Sequence, residues 1–260
     1  MVEDNRDMRG FMRSILSDEY NVLEAENGEE AMRVLAANNV DFIISDLMMP
    51  VMDGLELSRQ VKGNFAISHI PLLMLTAKTA EESRLEGYRS GVDEYLLKPF
   101  DEELLLARIR NILENKQRYQ QQFRDSLDVS VLNIPEETGD KKFIGRIMDV
   151  VAKNYKNSYF EVGDFAEALG VSRSLLNKKM GSLLGESPNQ FVRNYRLKIA
   201  RELLERNRDT KNMNVSEIAF EVGFNDSKYF TRCFTKVYGV PPSSLLKSQT
   251  NGVADMGHDG

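Results

Sequence analysis

Over the first 115 positions the apolar residues follow two alternating patterns. Met8, Phe11, Met12, Ile15 and Leu16 recur at helical spacing, and Ala31, Val34 and Leu35 mark a second helical face. Phe42-Ile43-Ile44, Leu72 to Leu75 and Tyr95-Leu96-Leu97 are short unbroken apolar runs, the pattern of parallel strands covered on both faces. A further strand is expected over Tyr20 to Ala25, and another around Val2. Helices fit Gly54 to Lys62 and Glu81 to Ser90, where Thr79 and Glu82 have capping-box spacing. A last helix starts near Asp101, carries Leu104, Leu105, Ile109 and Leu113, and runs unbroken to Arg124. This order predicts an α/β, doubly wound, five-stranded parallel sheet. Only Met1 and Val2 precede the acidic pair Glu3-Asp4, so the first strand is expected to be truncated.

Beyond residue 140 the strand pattern disappears and a repeat takes over. Ala166 and Ala219 are 53 residues apart, as are Gly170 and Gly223; Gly185 and Gly239 are 54 apart, as are Pro188 and Pro242. Each copy reads as a short helix, a glycine turn and a second helix opened by Ser172 or Asp226. Between the copies, Ser187-Pro188-Asn189-Gln190 predicts a cap, a first-turn proline and a long helix to Leu204. The expected layout is 1–115 for the α/β domain, 116–140 for a helical extension and linker, 141–247 for an all-α double helix-turn-helix domain, and 248–260 for a flexible tail.

Composition narrows the function. With 42% hydrophobic and 28% charged residues, the chain is that of an ordinary globular protein, without an apolar run near the ~18 residues of a membrane span. A cytoplasmic location and no membrane contact by this segment are expected. Cys233 is the only cysteine, which excludes a disulfide framework; its spacing with Phe230, Phe234 and Val237 puts it on a core face. Residues 1–114 hold 12 Lys+Arg and 22 Asp+Glu, a balance of -10, whereas residues 141–248 hold 19 and 11, a balance of +8. The acidic half suits a cation and the basic half a polyanion.

In an open α/β sheet, ligands bind beyond the carboxyl ends of the strands. Here those ends carry Glu3-Asp4, Ser45-Asp46, Thr76-Ala77 and Lys98-Pro99. Converging carboxylates call for a hard cation, and Mg²⁺ with oxygen ligands fits. One carboxylate can then attack phosphorus while a hydroxyl and an amine hold the oxygens. Singly, Asp46 fits an Asx turn, Thr76 a β-former, Tyr95 a buried aromatic and Lys98 a solvated charge. Together, Glu3-Asp4-Asn5, the run from Asp46 through Pro50 to Asp53-Gly54, Leu75-Thr76-Ala77-Lys78 and Lys98-Pro99-Phe100 resemble the signature of response-regulator receiver domains. The resemblance implies Asp46 as phosphoacceptor, Thr76 and Lys98 as phosphoryl-binding residues and Tyr95 as a switch aromatic. It implies Glu3, Asp4, Asp46 and the Met48 carbonyl as Mg²⁺ ligands, and a cis Lys98–Pro99 peptide.

The repeat, and above all Ile218 to Pro242, resembles the AraC/XylS DNA-binding domain over roughly Phe143 to Leu246. The implied reading residues are Ser174, Asn177 and Lys178 in the first unit and Lys228, Tyr229 and Arg232 in the second. Arg and Lys suit guanine, Asn suits adenine, and Tyr suits stacking or phosphate. Lys179, Arg173 and Lys236 read as phosphate contacts or solvated charges. Two such units should contact DNA about 10 bp apart. The combination resembles the C-terminal part of hybrid two-component regulators of Bacteroidetes, in which sensor and histidine kinase share the polypeptide. His69 and His258 are the only histidines and neither has a kinase-like context, so the phosphodonor is expected to be a histidine kinase or kinase domain elsewhere. Promoter DNA is the expected partner, and the resemblance leaves room for RNA polymerase and a homodimer. A metabolite-binding AraC-type regulator would need a β-rich barrel in front, and an Asp46-based phosphatase a second acid/base; neither is visible. A transcription regulator, not an enzyme, is the expected class.

Overall fold

The computed structural model describes residues 1–77, 91–135, 138–210 and 212–246, and divides into two compact units. The capping box at Thr79, the helix at Glu81 to Ser90, Lys78 and the tail lie outside the described residues. Unit 1 comprises residues 1–145 with 174–186; unit 2 comprises 146–173 with the chain from 187 onward.

In unit 1, α1 (Arg6–Leu16), α2 (Gly28–Ala37) and α3 (Gly54–Gly63) alternate with β1 (Ile43–Asp46) and β2 (Leu72–Thr76). After β3 (Glu94–Leu97) comes the 25-residue α4 (Glu102–Ser126). Each helix opens on a side chain that accepts backbone N–H groups: Asn5, Asn27, Asp53 and Asp101. The strands are parallel in the order β1-β2-β3, with Asp46 opposite Leu75 and Thr76 opposite Leu97. Both faces are covered. Leu72 and Met74 pack with Leu35, Leu57 and Val61, while Leu73 and Leu75 pack with Met12, Ile15, Leu105 and Ile109.

The doubly wound architecture agrees with expectation, but the strand count does not. Among the described residues three strands form where five were expected. Val2 makes one parallel bridge to Ser45 and one to Ala25. Its N–H donates to the Ile44 carbonyl and its carbonyl accepts from the Asp46 N–H; on the other side the Glu3 N–H donates to the Ala25 carbonyl and the Ala25 N–H to the Met1 carbonyl. A strand requires successive bridged residues, and here one residue on each side is bridged. Three apolar assignments in this unit also fail: Phe11, Leu97 and Leu104 are exposed, because Met12, Leu96 and Leu105 occupy the inward positions beside them.

Past α4, Leu127 adopts the left-handed conformation (φ 54°) and ends the helix. A 3-10 turn (Val129–Val131) leads to α5 (Gly139–Asn154), which runs from unit 1 into unit 2. The second helix of the first repeat, α7 (Arg173–Leu184), lies within unit 1 from Ser174 onward.

Unit 2 contains α6 (Val162–Leu169), α8 (Pro188–Thr210), α9 (Val215–Glu221), α10 (Ser227–Tyr238) and α11 (Pro242–Leu246). The repeat shows in the backbone. Val171 N–H donates to Ala166 at 3.0 Å and Phe224 N–H to Ala219 at 3.0 Å, closing both glycine turns alike. Ser187 and Gln190 cap α8 reciprocally, as expected, and α8 continues past Leu204 to Thr210. The core of the second repeat joins Leu197, Leu204, Ile218, Val222, Phe230 and Phe234. Cys233 is partly buried against it; Val237, expected there, is exposed and Tyr238 packs instead. Asn214 and Glu217 form a reciprocal capping box at the start of α9. Replacing Asn214 by Ala is expected to cost about 1 kcal/mol, readable as a lowered unfolding midpoint in urea.

Candidate functional site

The register of the parallel strands brings Asp46, Thr76 and the segment after Leu97 to one edge of the sheet, and the Val2 bridges bring Glu3 and Asp4 beside them. Lys98 follows β3 directly, and its peptide to Pro99 is cis. Its ammonium lies 2.8 Å from Glu3 Oε2 and 3.1 Å from Asp46 Oδ1. Glu3 is 1% exposed, and its Oε1 also accepts the Asn5 N–H. Burial pulls the Lys98 pKa down, but hydrogen bonds and charge from Glu3 and Asp46 outweigh it, and the pKa is raised above the ordinary lysine value.

Glu3, Asp4 and Asp46 each place a ligand-capable oxygen within 4.8 Å of the others. Three carboxylates form an all-oxygen donor set, the kind that suits Mg²⁺. Gly54, at the start of α3, is needed for close approach: a Cβ there would lie 2.3 Å from the Asp46 carbonyl oxygen. Gly54 ends the motif that begins at Asp46, but no local pattern in the sequence signals that packing role. Thr76 is buried at the end of β2. Tyr95 lies on β3, and its buried hydroxyl has no hydrogen-bond partner among the described residues. The Met48 side chain is exposed. The structure therefore brings Glu3, Asp4, Asp46 and Lys98 together as a set.

In α10 of unit 2, Lys228, Tyr229 and Arg232 are exposed on one face, with the Arg232 guanidinium 5.8 Å above the Tyr229 ring. Asp226 accepts the Lys228 and Tyr229 N–H groups, which holds its pKa below the usual carboxylate range. In α7 of unit 1, Ser174 and Asn177 are exposed and Lys178 is half-buried. Lys179 departs from expectation. It is 0% exposed and paired with Asp140, where a phosphate contact or a solvated charge was expected.

A parallel α/β unit with an acid-lined crevice at its strand ends, followed by a repeated helix-turn-helix, defines a class: a receiver joined to a DNA-binding output. The chain belongs to the response-regulator family. Residues 1–110 match the family model of the response regulator receiver domain, and residues 165–248 match a helix-turn-helix domain. The transcriptional regulatory protein CpxR of Klebsiella pneumoniae is 30% identical over 189 residues, covering 69% of this chain and 80% of that protein. "Histidine kinase P4" of Formosa agariphila is 38% identical over 243 residues, 94% of this chain but 17% of that protein. ResD of Bacillus subtilis is 40% identical over 114 residues, 44% of this chain and 46% of its own length. The chain thus spans less than half of the latter two relatives.

Proposed function

We propose that this chain is a DNA-binding response regulator of a two-component phosphorelay, controlled by phosphorylation of Asp46 and related to the C-terminal portion of hybrid sensor kinases. The observation that carries the reading is the placement of Lys98 between Glu3 and Asp46. In this reading an Asp46 carboxylate oxygen forms the new bond to phosphorus, and the bond from phosphorus to the donor breaks with its electron pair leaving on the donor. Lys98 and the Thr76 hydroxyl hold the transferred oxygens. Glu3, Asp4, Asp46 and the Met48 carbonyl are the residues that would hold Mg²⁺, whose charge offsets that of the phosphoryl group. That the Tyr95 hydroxyl has no partner among the described residues supports a ring that takes a new partner when Thr76 is drawn towards phosphate.

The proposed division assigns 1–115 to the receiver, 116–140 to an extension and linker, and 141–247 to DNA binding. Lys228, Tyr229 and Arg232, with Ser174, Asn177 and Lys178, read promoter DNA; a histidine kinase supplies phosphate. RNA polymerase and a second copy of the chain complete the proposed partners. The chain acts as a regulator, not an enzyme, and in the cytoplasm; among the described residues no helix is long and apolar enough to cross a membrane.

The test is a set of titrations on a selected DNA site and on random DNA at several salt concentrations, with and without acetyl phosphate. Affinity should fall steeply with salt and change on phosphorylation. Arg232→Ala should cost ~1–3 kcal/mol on the selected site and relax base preference at one position. Equal losses on both DNAs would show that Arg232 only holds the backbone.

A further inference from the structure

Lys179 of α7 is buried among groups that are all contributed by unit 1. Its ammonium pairs with Asp140 in the first turn of α5. Ser68 Oγ lies 3.0 Å from Lys179 Nζ and 3.1 Å from both Asp140 oxygens. The Phe65 ring stands 4.1 Å from the ammonium, backed edge-on by Phe143 at 5.1 Å. A charge fully removed from water is tolerated here because a carboxylate, a hydroxyl and an aromatic face replace its hydration. Phe65 and Ser68 belong to the segment between α3 and β2, so the receiver contributes one side of the pocket for Lys179, and Asp140 and Phe143 of α5 the other.

A second set of contacts holds the same helix. Lys116, Gln120 and Arg124 fall four residues apart along one stripe of α4. Lys116 donates to Ser182 Oγ at 2.9 Å, Gln120 to the Ser182 carbonyl at 2.7 Å and Arg124 to the Gly185 carbonyl at 3.4 Å. The last carbonyls of a helix lack internal donors and carry partial negative charge, so a stripe with two cations complements them. The helix that carries this stripe begins four residues after Lys98, the cation of the acidic crevice.

Resting on the reading of Asp46 and α7 above, we propose that these contacts are a latch through which the receiver restrains α7, with Lys179 as a positioning residue and not a DNA contact. Breaking a buried ion pair leaves an uncompensated charge, so such a pair is either closed or open with little between. While it is closed, the Lys179 charge is cancelled by Asp140. The Lys178 charge on the same helix is then held on a domain whose residues 1–114 carry a balance of -10. Both effects weaken the attraction of α7 for a phosphate backbone. Phosphorylation opens the latch, and α7 then contributes its full charge to DNA.

The experiment uses the full chain and a duplex carrying a selected site, with beryllofluoride plus Mg²⁺ as acyl-phosphate mimic. Wild-type affinity should rise about tenfold on activation. Asp140→Asn should bind without activation as tightly as the activated wild type, and gain less than about twofold from the mimic. A variant that keeps the wild-type ratio, or is locked at low affinity, overturns the latch alone. A wild type indifferent to the mimic overturns the phosphorylation reading and the latch with it. Amine labelling of the wild type serves even if the variant is poorly folded. Lys179 should resist an acylating reagent before activation and react after it, and equal reactivity in both states overturns the proposal.

Discussion

Asp46→Asn is expected to take up no phosphoryl group from acetyl phosphate in the presence of Mg²⁺, whereas the wild type takes up one that is stable in acid and labile in base. The carboxamide lacks the anionic oxygen that must attack phosphorus, and it removes one of the three carboxylates that lie within 4.8 Å of one another. Lys98→Ala should leave the acceptor in place but slow its modification by about 10²–10³-fold, the usual effect of losing one preorganised donor to developing charge. That variant also leaves Glu3, buried at 1% exposure, without its cation, so its unfolding midpoint should fall as well. Intact-mass analysis of the three proteins after equal incubation distinguishes the outcomes. Full labelling of Asp46→Asn would transfer the phosphoacceptor role to another residue.

The second large effect is expected at Gly223. Its φ is +88°, and a Cβ there would lie 2.1 Å from the Tyr155 carbonyl oxygen and 3.1 Å from Arg196 Nε. Arg196 Nε donates to that same carbonyl at 2.8 Å, and its Nη2 donates to the Asn157 carbonyl at 2.7 Å. An added methyl group must therefore separate the carbonyl from the guanidinium, or move the turn between α9 and α10. Left-handed backbone costs a non-glycine residue about 1–2 kcal/mol, and a hydrogen bond to a charged group is worth about 1.5–3 kcal/mol. Gly223→Ala should accordingly destabilise the protein by about 2.5–5 kcal/mol and lose selected-site binding through α10. Gly170, its counterpart in the first repeat, has φ +69° with nothing within 4 Å of an added Cβ. Gly170→Ala should cost only the backbone component, about 1–2 kcal/mol. Denaturant unfolding of both variants checks the contrast. Equal losses would mean that the approach of Tyr155 to Gly223 does not contribute.

Much of the candidate site was legible in the sequence because its parts depend on local rules. A short unbroken apolar run predicts a covered parallel strand, and in a doubly wound sheet the polar residue that ends the run faces the ligand crevice. Local rules alone therefore place Asp46, Thr76 and Lys98 at one edge. The 53-residue recurrence of Ala166 and Gly170 at Ala219 and Gly223 likewise announced two equivalent glycine turns, and the matching backbone bonds agree. Apolar periodicity was less reliable where neighbouring positions compete for the interior, as Phe11, Leu104 and Val237 show.

Lys179 shows most clearly where local reasoning ends. It lies three residues after Leu176 and four before Leu183, both buried, so the spacing itself put it on an inward face. Its positive charge suggested solvent or phosphate instead, because a buried lysine needs a partner and none lies nearby in the chain. The partners, Asp140 and Ser68, are 39 and 111 residues away. By itself the sequence determined the strand ends, the repeat and the kinds of chemistry they carry, since these follow from interactions between near neighbours along the chain. Tertiary structure alone decided that Val2 and Ala25 form single bridges instead of strands, that Lys98 lies between Glu3 and Asp46, and that Lys179 is buried against Asp140. Hydrogen-bond ladders and ion pairs of this kind form between segments brought together only by packing, and no local pattern specifies which distant group will satisfy them.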